Sequence, residues 1–137
     1  MYRKKKSDKY IHPMPKKQFF IVEKQFNQQG GKFYMDNEAE LILEAQGAEA
    51  CTLDAKTILL RKRPTRAAVY EELFHAKQFS EGSIDGTLKN MYECEIEAKK
   101  YLLDNANVLE LTQNEITQTK ESLKWYLNKL EKMKGDS

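Results

Sequence analysis

Thr65-Arg66-Ala67-Ala68-Val69-Tyr70-Glu71-Glu72-Leu73-Phe74-His75-Ala76-Lys77-Gln78-Phe79 reads as a helix. Thr65 is a side-chain cap, and the breaker-rich run Ser80-Glu81-Gly82-Ser83-Ile84-Asp85-Gly86 follows its end. At about 100° per residue, Ala68, Glu71, Glu72, Gln78 and Phe79 fall within about 60° of His75, while Val69 and Leu73 point nearly the other way. One face therefore gathers two carboxylates, an imidazole and an amide, and the opposite face is apolar. Glu71 and His75 are four residues apart, a spacing at which two helical side chains meet on one cation.

Working outward, the next helix is expected from Leu88 or Asn90 to Asn105. Met91, Cys94, Ala98 and Leu102 form its apolar stripe, and Glu95 lies inside that stripe, about 60° from Ala98. Glu97 sits at the stripe's edge and Glu93 faces away. A carboxylate on a packing face is costly unless it is paired or coordinated. His75, on the preceding helix, is its expected partner, and the two helices are expected to enclose a polar cleft holding Glu72, His75 and Glu95, with Gln78 on its wall.

Upstream, Phe19, Val22 and Phe26 stand at helical spacing within 16–29, and Gly30-Gly31 ends that helix. A strand at 32–35, a helix at 38–46 stopped by Gly47, a turn at 51–55 and a strand at 57–60 follow. Downstream, Thr112 and Glu115 form a capping box for a last helix. Its stripe of Ile116, Leu123, Tyr126, Leu127, Leu130 and Met133 predicts a helix docked on a core, with Trp125 and Tyr126 in or beside that core. The fold class is α+β, helix-rich, with a small sheet of two or three strands.

The chain has 137 residues, enough for one domain with its own core. A single domain is expected over 16–134, after a basic, flexible leader at 1–15. Residues 1–17 carry seven Lys or Arg against Asp8 alone, whereas the other 120 carry 16 basic and 20 acidic side chains. A net-negative body argues against a nucleic-acid-binding domain; only the leader could reach phosphates. His12, in the leader, is expected to be exposed and idle. Arg61, Arg63 and Arg66 read as an exposed loop of bases. No apolar run approaches the roughly 20 residues of a membrane span, and no secretory signal is visible. Cys51 and Cys94 are far apart and form no CxxC, so two buried free thiols are expected.

The Glu71-Glu72-Leu73-Phe74-His75 run resembles the active-site helix of zincin metallopeptidases, whose pattern is HExxH with a third ligand on a later helix. The chain particularly resembles the compact zincin-like domains at the C-terminal ends of bacterial and prophage polymorphic toxins. The stretches that carry this are Met14-Pro15-Lys16-Lys17-Gln18, Gln29-Gly30-Gly31, Gly47-Ala48-Glu49-Ala50, Thr57-Ile58-Leu59-Leu60-Arg61, Pro64-Thr65-Arg66-Ala67-Ala68-Val69, Glu71 through Gln78 and Glu95-Ile96-Glu97-Ala98. The resemblance covers roughly residues 14 to 130. It implies that His75 matches the second metal-binding histidine, that Glu72 matches the general base, and that Glu95, or alternatively Glu97, matches the later glutamate ligand. Glu71 stands where the first histidine belongs, a departure that favours a harder cation and weakens the acidification of water. The implied cofactor is zinc or another divalent metal.

The implied function is a peptide-bond hydrolase, acting as a toxin or effector module or a prophage-derived relic of one. It would have a protein or peptide substrate and a cognate immunity protein. It would be cytoplasmic, or delivered to a target cell within a larger effector, with neither membrane nor nucleic acid as partner. The replaced histidine supports an alternative, an inactive zincin fold that binds protein. The basic leader motivates a second alternative, a toxin acting on nucleic acid.

Overall fold

The computed structural model describes residues 1–4 and 12–135. In chain order the elements are β1 (Tyr2–Lys4), α1 (Lys16–Gln28), β2 (Lys32–Tyr34), α2 (Asn37–Gln46), β3 (Ala48–Asp54), β4 (Thr57–Leu60), α3 (Arg66–Ser80), α4 (Leu88–Asp104) and α5 (Gln113–Gly135). The α+β, helix-rich class holds. The sheet, however, has four strands in the order β1-β3-β4-β2, with β2 parallel to β4 and the other two pairings antiparallel.

Two readings change. Residues 51–55 are not a turn into a strand, because Ala48–Asp54 is itself a strand with its first five residues buried. Its small and polar residues lack the alternation that marks a half-buried strand. The leader reading does not hold for Tyr2–Lys4, which pair with β3. Arg3 is only 4% exposed, and its charge is matched by buried acids described below. Of the remaining leader residues, 5–11 lie outside those described, and His12 is exposed as expected.

Helix ends follow the cap chemistry. Asp36 accepts a hydrogen bond from Ala39 N at 2.9 Å, and Gly47, at φ 64°, takes the left-handed turn that ends α2. Thr65 accepts from Ala68 N at 3.1 Å and Thr87 from Asn90 N at 3.2 Å. Glu115 closes the box with Thr112 and also accepts from Ala67 N at 2.7 Å, so one acid serves the N-termini of α5 and α3.

The sheet divides the interior. On one face Ala50, Ile58 and Leu60 pack with Phe26 of α1, Phe33 of β2, and Ala68, Val69 and Ala76 of α3. On the other, Ala48, Cys51 and Leu59 pack under Ala39 and Leu43 of α2. Arg61 pins α2 to the sheet through Glu40, Glu44 and two bonds to Ala48 O, so it is no exposed loop base. Arg66 is likewise engaged, with Gln18 and Glu110. Both cysteines are buried and free. No helix among the described residues is long and apolar enough to cross a membrane.

Gly31 marks a close approach: a Cβ there would run into the Phe26 ring, which is buried in the core. Gly31→Ala is expected to cost about 1–3 kcal/mol through overpacking, read as a lower urea midpoint.

Behind α3 lies a second helical layer, the antiparallel pair α4–α5. Helix α3 thus has the sheet on one side and α4 on the other, so its polar face is covered rather than solvated. Past Thr119, α5 has no buried residue. Trp125 is 51% exposed, which corrects the expectation of a core tryptophan. Among the described residues, the stripe on α5 packs chiefly against α4, and a two-helix contact leaves its flanks open.

Candidate metal centre

Glu71, Glu72, His75 and Gln78 are all at most 1% exposed. The face that concentrates them is the helix–helix interface itself, and no open cleft lies over the histidine. Glu95 reaches it from α4 as expected: His75 Nε2 lies 2.7 Å from Glu95 Oε1. The carboxylate oxygen lies off the direction of the ring N–H, so Nε2 has close charge but no aligned hydrogen bond.

The other ring nitrogen is committed. Nδ1 is 2.7 Å from Gln78 Oε1, and Gln78 Nε2 donates to Cys94 O at 3.0 Å. That second bond fixes the amide's orientation, so Oε1 accepts and Nδ1 carries the hydrogen. Gln78 is a positioning group for the imidazole, not the wall of a cleft. In the neutral tautomer, the electron-rich Nε2 would then lie 2.7 Å from an anionic oxygen with no proton between them. That contact demands a positive charge at Nε2, either a proton or a metal ion.

Two cations that sequence reasoning missed complete the group. Arg3 lies opposite Ala50 in the β1–β3 ladder and so faces α3. It donates to Glu49 Oε2 at 3.1 Å, Glu71 Oε2 at 3.0 Å, Gln118 Oε1 at 3.1 Å and Thr119 Oγ1 at 3.2 Å. Lys99 donates to Glu71 Oε1 at 2.6 Å and to Glu95 Oε1 at 3.3 Å. Lys99 had a legible signal, since it follows Glu95 by four residues on the same packing stripe. Arg3, 68 residues from Glu71, had none.

Glu72 is held differently. Thr52 Oγ1 lies 3.0 Å from Glu72 Oε1 and 3.0 Å from its backbone oxygen, while Oε2 is buried with no partner. Tyr126 Oη donates to Glu95 Oε2 over a long 3.4 Å. Glu97 is exposed on the outer side of α4 and takes no part, which rules it out as the alternative ligand.

Charge settles how the group is balanced. Arg3 and Lys99 face four buried carboxylates, Glu49, Glu71, Glu72 and Glu95, so the group is two positive charges short. Burial raises Glu71, but Lys99 and Arg3 outweigh it and hold the carboxyl down to about 2. Burial, reinforced by Glu71 and Glu95, pushes Glu72 up to about 8 against the pull of His75. Burial opposes a charged imidazole, yet Glu95, followed by Glu72 and Glu71, raises His75 to about 9. Burial also opposes Glu95 ionisation, but His75 and Lys99 keep it below the usual carboxylate range. Two protons, on Glu72 and His75, neutralise the group at pH 7; one divalent cation would do the same.

The donor set fits such an ion. Ligand atoms of Glu71, His75 and Glu95 lie within 4.8 Å of one another, a spread that one cation with bonds of about 2.0–2.2 Å can draw together. Among the described residues, the two buried side-chain polar atoms without a hydrogen bond, His75 Nε2 and Glu72 Oε2, belong to a ligand and to its neighbouring base. One imidazole with carboxylates suits zinc or manganese better than a soft ion. Against this, both Glu71 oxygens already carry a cation, so His75 and Glu95 are the stronger ligands. Comparison with family models, with curated proteins and with solved structures returned no match.

Proposed function

We propose that this chain is a zincin-like, metal-dependent hydrolase domain acting on peptide bonds. The observation that carries the reading is the 2.7 Å contact between His75 Nε2 and Glu95 Oε1 when Nδ1 is already bonded to Gln78. His75 and Glu95 hold the ion, with Glu71 as a weaker third ligand. The ion supplies Lewis acidity, acidifying water and polarising a carbonyl. Glu72 Oε2, unpartnered and next to the imidazole on the same helix turn, takes a proton from water and returns it to the leaving amine. Gln78 keeps the imidazole in the tautomer that presents Nε2. Arg3 and Lys99 hold Glu71 ionised and lower the negative charge that two carboxylate ligands would place on the ion.

Zinc, manganese and nickel are to be added in a thermal-unfolding assay. A hundredfold excess over Kd stabilises the wild type by about 2.7 kcal/mol, whereas His75→Ala gains nothing. Glu72→Gln keeps the metal-dependent shift and loses about 10²–10⁴-fold in cleavage of an unstructured protein. No shift with any of the three ions overturns the reading.

A second reading, a binding module on the same fold without chemistry, is favoured by Glu71, whose two oxygens are both occupied by Arg3 and Lys99. It expects the metal shift, or none, with no cleavage.

A further inference from the structure

A cleft of about 500 Å³ opens beside the buried group between β1, the end of α2, α4 and α5. Its position is informative. Arg3, Lys99 and Tyr126 line it, and each contacts a carboxylate of the centre on its other side. Through this cleft a molecule outside could reach those side chains, and its volume lies within the range of ligand-binding pockets.

Its walls define what fits. Trp125 and Tyr126 form an aromatic corner, with ring centroids 4.8 Å apart and planes at 85°. Trp125 lines the cleft while half exposed, although a tryptophan is normally covered. Lys129 lies over the Trp125 ring at 5.1 Å. At the rim Lys4 is exposed, and a basic group entering would meet it and then Lys99. An acidic group would be drawn by Lys4 but would meet Glu121, which also lines the cleft. A neutral side chain meets neither penalty, and a flat ring makes the edge and face contacts that the aromatic corner offers.

We infer that this cleft is a specificity pocket that takes an aromatic side chain of a peptide. The inference rests on the peptide-hydrolase reading for its substrate class, but its test uses binding alone. Trp125 is the chain's single tryptophan, so its fluorescence reports occupancy. The full chain is titrated in chelator with N-acetyl-Ala-X-Ala amides in which X is Phe, Leu, Lys or Glu.

The Phe peptide is expected to give a saturable change and to bind about tenfold tighter than the Lys and Glu peptides, with Leu between. Ser122 also lines the cleft, and Ser122→Phe, which fills it, weakens the Phe peptide by about tenfold while leaving the far-ultraviolet dichroism unchanged. Should that variant misfold, Lys4→Glu at the exposed rim serves instead, bringing the Lys peptide close to the Phe peptide. Equal affinity for all four peptides, or no saturable response to Phe at millimolar concentration, overturns the inference. Because no metal is present, failure here is distinct from failure of the metal shift, and either can occur without the other.

Discussion

Arg3→Ala destabilises the protein by about 3–5 kcal/mol, the cost of stranding buried charge. The variant removes four hydrogen bonds at once and leaves Glu49 and one oxygen of Glu71 without a cation. Burial already raises Glu49 against the pull of Arg3, so in the variant it is expected to protonate rather than remain a buried anion. Arg3→Lys recovers part of the loss: it restores a charge but cannot span Glu49, Glu71 and Thr119 with one planar fork. Urea unfolding with an unchanged slope reads both values. A loss below about 1 kcal/mol, as for an exposed ion pair, would mean that Arg3 does not hold the centre together.

The second large effect is a proton count. At pH 7 both His75, raised to about 9, and Glu72, raised to about 8, are protonated in the metal-free protein. Binding a divalent ion needs the imidazole neutral and removes the reason for Glu72 to stay neutral. Each ion bound therefore releases about two protons, measured by calorimetry in buffers of different ionisation enthalpy. Above pH 9 the release falls toward zero.

The same groups set how metal-free stability changes with pH. His75 has a raised pKa, so its contribution is whole below its unfolded value of 6.5 and is lost as pH rises through about 9. Glu72 is raised too, so ionising it in the fold becomes an increasing cost between its unfolded 4.5 and about 8. Glu71 is lowered, and its contribution is present above 4.5 and lost as pH falls through about 2. The metal-free protein is thus most stable near pH 5, and saturating metal moves that maximum upward. An unmoved maximum would deny that the ion and the two protons share one place.

Local periodicity made the helices legible, along with the His75–Glu95 pairing, because both follow from angles around a helix axis. The capping residues Thr65 and Thr112 were legible for the same reason: their partners are three residues away. What sequence could not give was long-range. Nothing local tells that Ala48–Cys51 is a central strand or that three residues at the N-terminus form its neighbour. The acidic face of α3 invited a solvated cleft because charge on a helix usually faces water. It is buried because Arg3 and Lys99 arrive from elements 68 residues earlier and 28 later than Glu71. Trp125 failed in the opposite sense: it lies off the apolar stripe of α5, and its contact with Tyr92 of α4 leaves it half exposed.

The three-residue β1 is too short for side-chain alternation to fix its alignment. Its alignment is fixed by electrostatics. Sliding β1 by one position would turn Arg3 through the sheet. The guanidinium would leave Glu49 and Glu71 for the oily pocket of Leu43, Cys51 and Leu59, stranding a cation on one side and, on the other, Glu49 and one oxygen of Glu71. The ionic group thereby acts as a key that admits a single seating of that strand, whatever chemistry it also performs.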